Sequence, residues 1–196
     1  MSTSDDDESH YQCTRKSSKE LRERLRAELE STLSAFESNN RFVAEGKINE
    51  LIDEATIKKS MRIKEPTPEE ADLVAFILTR AKKAFAIAVF AQANTNEAMR
   101  WLDKHHYDDE KLPIPKQTEL WKEDWRADFY EHQWEFTAPI FSTTCSSHNL
   151  EEAHVLPFIE KSAGSGEGSF GEVNRYVLHK DHMLPVSKTR WPICSY

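Results

Sequence analysis

The chain has 196 residues, with 26 lysines and arginines against 34 acidic residues, a net charge of −8 and a mean hydropathy of −0.70. That balance excludes the basic face that replaces counterions on nucleic acid or on an anionic membrane surface, and the longest apolar run, Ala84–Ala91, is too short to span a bilayer. The three cysteines, Cys13, Cys145 and Cys194, form no C-x-x-C pair, and the acidic start M-S-T-S-D-D-D-E is unlike a signal peptide, so a cytoplasmic or nuclear protein with reduced thiols is expected.

Residues 1–16 read as a disordered acidic tail. Ser17 opens a Ser-x-x-Glu capping pattern that ends at Glu20. Behind it Leu21, Leu25, Leu29, Leu33 and Phe36 recur at helical spacing, which predicts an amphipathic helix ending near Asn39 and Asn40. A shorter helix carries Ile48, Leu51, Ile52 and Ala55. Pro66-Thr67-Pro68-Glu69-Glu70 is a start signal, with Thr67 capping, Pro68 at the first helical position and Glu70 closing the box. The apolar positions from Leu73 to Phe90 then predict one long helix at the centre of a small bundle. Asn94-Thr95-Asn96 breaks it, and a further short helix holds Ala98, Met99, Trp101 and Leu102.

Lys111–Pro115 reads as an extended linker. Leu120, Trp121, Trp125 and Phe129 return to a spacing near four, followed by Trp134 and Phe136. This stripe is expected to be core or a seam against a neighbouring domain. The helical region therefore covers 17–140 and a linker covers 141–155. From 156 the pattern becomes strand-like: Leu156–Ile159 and Val173–Leu178 flank a glycine cluster, with Val173, Arg175 and Val177 on one face of the second strand.

Four of the five glycines, Gly164, Gly166, Gly168 and Gly171, fall within the twelve residues S-A-G-S-G-E-G-S-F-G-E-V at 162–173. Bare backbone approaches phosphate closely and turns N–H groups toward oxygen. A Walker A loop needs Lys-Ser or Lys-Thr after its last glycine, and here Glu172-Val173 follows. A dinucleotide fingerprint must open a helix, but the continuation is strand-like. A plain Gly/Ser linker is opposed by Phe170, Val173 and the strand-like flanks. The remaining pattern, G-x-G-x-x-G-x-V, has all its fixed positions at Gly166, Gly168, Gly171 and Val173, with Phe170 at the tip.

On these residues the chain resembles the start of the N-lobe of a protein kinase from about Leu156 onward. Gln133–Phe141, Leu156–Ile159 and Lys82–Ile87 look like the corresponding parts of fungal protein-kinase-domain proteins with a helical N-terminal region. The resemblance implies a mainly α chain: a helical bundle followed by a short β-hairpin fragment of a kinase N-lobe over 156–196. It implies a serine/threonine kinase relative that binds ATP, with magnesium in the full-length family, and acts on a protein substrate. Gly166, Glu167, Gly168, Ser169, Phe170 and Gly171 would cradle phosphate and Val173 would cover adenine. Lys188, seventeen residues past Gly171 in P-V-S-K, would stand as the strand-three lysine.

The 196 residues hold no H-R-D-x-x-x-x-N loop and no D-F-G. The expectation is thus a truncated kinase-derived product, inactive alone, with no catalytic residue, no metal ligand and a non-kinase end at 189–196. A non-catalytic helical module that binds a protein partner, or a kinase domain in trans, through its Trp/Phe stripe is the alternative. The His179-x-x-His182 pair reads as a polar turn at a strand end, and His105-His106 likewise. Ser146-Ser147-His148 has no partner for a hydrolase triad.

Overall fold

The computed structural model describes residues 18–33, 40–116, 125–141, 150–168 and 171–184. These form seven α-helices, two 3-10 turns and one two-stranded antiparallel sheet, a mainly helical chain with a small hairpin. In chain order the elements are α1 (Lys19–Ser31), α2 (Glu45–Leu51), α3 (Glu54–Met61), α4 (Pro68–Arg80), α5 (Lys82–Phe90), α6 (Thr95–Lys104), α7 (Arg126–Phe136), β1 (Phe158–Gly168) and β2 (Gly171–Leu178).

The centre is α5. Every residue from Ala84 to Phe90 is buried, and the helix packs against α1, α2, α4, α6 and α7. Apolar on all sides, it can only be an inner element. The expected single helix over 73–90 is in fact two: Ala81 leaves helical geometry at φ −138° and divides α4 from α5. The interruption frees the first N–H groups of α5, and Asp109, from the 3-10 turn Asp109–Lys111, takes them. Its Oδ2 accepts from the Lys83 amide at 2.9 Å and its Oδ1 from the Ala84 amide at 3.0 Å. The first turn of α5 is thus capped by a carboxylate over twenty residues away, since the Ala81 methyl at the cap position cannot accept a hydrogen bond. Burial pushes the Asp109 carboxyl above its ordinary value even though both amides and Lys83 favour the anion. Asp109→Ala is expected to lower stability by about 1–2 kcal/mol, the usual loss of an N-cap, measured by urea unfolding followed by circular dichroism.

The start of α4 is as the sequence indicates. Thr67 Oγ1 accepts from the Glu70 amide and Glu70 Oε2 accepts from the Thr67 amide at 2.9 Å, a reciprocal box with Pro68 in the first turn. The start of α1 differs. Ser17 lies outside the described residues, Ser18 occupies the cap without a side-chain bond to the helix, and its Oγ donates to Ser60 O. Glu20 pairs with Lys59 of α3 instead of closing a box. The helix also ends earlier than its spacing suggests, at Ser31, since Thr32 Oγ1 exchanges hydrogen bonds with the Phe42 backbone. Leu33 is therefore half-exposed, and Phe36 lies outside the described residues. The expected short helix around Ile48 splits into α2 and α3 at Asp53, which caps α3 by accepting from the Thr56 amide at 2.7 Å.

Lys111–Pro115 is not a linker. Ile114 is buried, and Gln133 of α7 holds both its backbone groups: Gln133 Oε1 accepts from Ile114 N at 2.7 Å and Nε2 donates to Ile114 O at 3.1 Å. The Leu112–Pro113 bond is cis. The aromatic stripe is core where it is described: Trp125, Phe129, Trp134 and Phe136 are buried, with Trp125 edge-on to Phe129 and Phe136 edge-on to Phe90. Leu120 and Trp121 lie outside the described residues.

Candidate functional site: the glycine hairpin and its base

β1 and β2 pair antiparallel, with Phe158 opposite Leu178, Lys161 opposite Tyr176, Ala163 opposite Asn174 and Gly168 opposite Gly171, and the register shifts once between Phe158 and Glu160 and again past Ala163. The strands run through the glycine cluster instead of ending before it. Between the Ala163 and Glu167 pairs β1 carries more residues than β2, so Gly164-Ser165-Gly166 form an irregular bulge facing Val173. Glycine is compatible with this place because a bulge bends the strand locally and glycine has no side chain to place there.

The hairpin therefore gathers Gly166, Glu167, Gly168, Gly171 and Val173 at one end, with Glu167 opposite Glu172 next to the turn. Ser169 and Phe170, expected at the tip, lie outside the described residues, as does Lys188. Hence the glycines of the motif are brought together, while the lysine expected to reach the phosphates has no described position beside them. Among the described residues no third strand and no facing lobe closes over the hairpin end. No group of three or more metal-ligating side chains occurs among them either.

The other end of the hairpin is anchored, which the sequence did not suggest. Asn40 Nδ2 donates to Phe158 O at 3.5 Å, His179 N donates to Pro157 O at 2.9 Å, and Phe141 forms a parallel bridge with Met183. In that bridge Phe141 N donates to His182 O at 2.8 Å and Leu184 N to Phe141 O at 2.9 Å. The 3-10 turn Lys180–His182 lies against the first turn of α2, so close that a Cβ on Gly46 would meet Asp181 Oδ2 at 2.7 Å. The fifth glycine of the chain thus serves the same hairpin as the other four, at its base instead of its tip.

At the centre of this base, Phe42 is fully buried and meets His179 edge-on at 5.7 Å and His182 edge-on at 5.0 Å. Phe42, Ala44 and Ala138, with Val155 against them, form a small apolar cluster apart from the main core. Arg41 and Val43 flank it and fix α7: Arg41 Nε donates to Glu135 Oε1 at 2.7 Å and Val43 N to Glu135 O at 2.8 Å. Burial pushes the Glu135 carboxyl up, but hydrogen bonds from His132 and Arg41 outweigh it and hold the group below its ordinary value.

A cleft of about 500 Å³ opens between α2, the α4–α5 junction and the turn at 108–110. Five of its charged residues are matched to one another or to backbone: Lys83 Nζ lies 2.8 Å from Glu45 Oε2, Arg80 bonds Asp108, and Asp109 caps α5. These pairs brace the α4–α5 break, and Asp108 Oδ1 is left buried without a partner among the described residues. The expectations drawn from the sequence did not include this network, because its members are charged residues scattered over four segments.

No family model matches the chain, and neither a curated protein nor a solved structure matches it. Among the described residues no helix is long and apolar enough to cross a membrane.

Proposed function

We propose that residues 158–178 are a nucleotide-covering hairpin of the protein-kinase type, carried on a helical module in a cytoplasmic or nuclear protein. The observation that supports this reading most is the pairing of Gly168 with Gly171, which sets Gly166, Gly168 and Gly171 around one tight hairpin end. Backbone N–H groups in such a turn meet phosphate oxygens without side-chain interference. Val173 stands on β2 just behind the turn, the position from which an apolar residue covers a base. ATP is the ligand the motif suits, with Lys188 as its further phosphate partner. The proposal is one of nucleotide contact: the H-R-D and D-F-G segments that supply base and magnesium ligands to phosphoryl transfer are not within these 196 residues.

Calorimetric titration of the full chain with a non-hydrolysable ATP analogue and magnesium tests it. Binding with Kd on the order of 1 mM or tighter is expected, about −4 kcal/mol. Gly168→Val and Lys188→Ala should each weaken it at least about tenfold, 1.4 kcal/mol, with unchanged helical circular dichroism. Absence of heat up to 10 mM analogue, or binding indifferent to both substitutions, would overturn it.

A second reading, a non-catalytic helical module that binds a protein partner, is favoured by the main core, which runs from Leu21 to Phe136 without a residue of the hairpin. Such a unit should keep its helical spectrum and cooperative melting after removal of residues 150–196. Loss of both would discard this reading.

A further inference from the structure

We propose that the base of the hairpin is a proton-operated clasp, in which protonation of His182 releases the turn 179–184 from Phe42 and Pro139 and so detaches the hairpin from the helical unit.

His182 is 1% exposed, the least accessible histidine of the joint. Its Nδ1 lies 3.2 Å from Pro139 O. A carbonyl only accepts, so Nδ1 carries the proton and donates. Nε2 is then the unprotonated nitrogen, and it is buried with no hydrogen-bond partner among the described residues. A second proton must go to Nε2. It would create a charged donor with nothing to receive its hydrogen bond, beside the ring of Phe42. Burying a charge without a partner is costly enough that the surrounding structure yields instead.

The groups around the ring do not rescue the cation. Glu45 of α2 favours it and Lys83 of α5 opposes it, and these two are already paired with each other at 2.8 Å. His179, 6.0 Å away between ring centres, opposes it. Asp181 is turned to Gly46, and Lys47 of α2 to Glu50. Arg41, from the segment carrying Phe42, is held by Glu135, and His154, from the segment bringing Val155, is turned to Trp134. Desolvation accordingly lowers the His182 imidazole from its ordinary value, outweighing the Pro139 bond.

The sign follows. A histidine whose folded value lies below its unfolded 6.5 supports the fold fully above pH 6.5, and that support is lost as pH falls from 6.5 through the folded value. What gives way is local, since the joint rests on the small Phe42 cluster and a few backbone bonds and not on the main core. Glu135 stays ionised through this window because its carboxyl is held below 4.5. The inference holds whether or not the glycines bind nucleotide.

Amide hydrogen exchange of the full chain, corrected for intrinsic rates, tests it between pH 7.5 and 5.0. Protection at Phe141, His179 and Leu184 should fall about tenfold for each unit of separation between folded and unfolded values. Amides of α5 should hold theirs, and His182→Asn, which can still donate to Pro139 O, should remove the pH dependence. In wild-type protein the His182 ring should titrate by NMR below 6.5, which keeps the test open if the variant folds poorly. Flat protection at the three amides, parallel loss in α5, undiminished pH dependence in His182→Asn, or titration at or above 6.5 would each overturn the clasp.

Discussion

Phe85→Ala is expected to destabilise the helical unit by about 3–5 kcal/mol, the range for truncating a fully buried aromatic. Phe85 sits in the first half of α5 with no solvent exposure. Its helix is walled by α1, α2, α4, α6 and α7, so the neighbours that would have to collapse into the vacated volume are each held by contacts of their own. A domain of this size has only about 5–15 kcal/mol of net stability, so this single change removes a large share of it. Urea unfolding monitored by circular dichroism would show the midpoint falling with little change in slope. Leu33→Ala provides the contrast, since Leu33 is 49% exposed and its removal should cost less than about 0.5 kcal/mol. Equal losses at the two positions would contradict the central place given to α5.

The contrast between the segments that carry Phe85 and Leu33 shows what the sequence makes legible. Periodicity locates α1 and names its inward residues Leu21, Leu25 and Leu29. It does not say where the helix stops, because the stop is made by Thr32 bonding Phe42, a contact across ten residues. The same holds at the α4–α5 break. Apolar spacing continues through Ala81, and only the long-range cap from Asp109 shows why two helices are as good as one there. Local chemistry that closes within four residues, as in the Thr67–Glu70 box, is readable directly. The glycine cluster is a mixed case. Glycine content and β-type flanks indicate a hairpin, and the strands with Gly168 opposite Gly171 realise it. That His179 and His182 lie against Phe42, and that Gly46 lies against Asp181, follows only from tertiary packing.

The second large effect is expected at a residue that no motif marks. Gln133→Leu removes a side chain with no exposure whose amide holds both backbone groups of Ile114. Leucine fills most of the volume, so the loss is polar: a buried N–H and a buried C=O are left unpaired, at about 1–3 kcal/mol each. A fall of about 2–5 kcal/mol follows, concentrated at the contact between α7 and the 112–115 segment. Gln133→Glu separates this account from a packing effect. A glutamate oxygen still accepts from Ile114 N, but an ionised carboxylate cannot donate to Ile114 O. When protonated it can. Burial should raise the folded value of the new carboxyl above its unfolded one, so its support is complete at low pH and is lost as pH rises through the folded value. Relative to wild type at each pH, Gln133→Glu should therefore recover stability on acidification, while Gln133→Leu should not. The direction is opposite to that expected at His182, where acid weakens the joint, and the two responses fall on different elements of one chain. Thermal melts of both variants against wild type from pH 7.5 to 4.5 measure the difference. Parallel curves for the two variants would assign the loss at Gln133 to shape instead of hydrogen bonding.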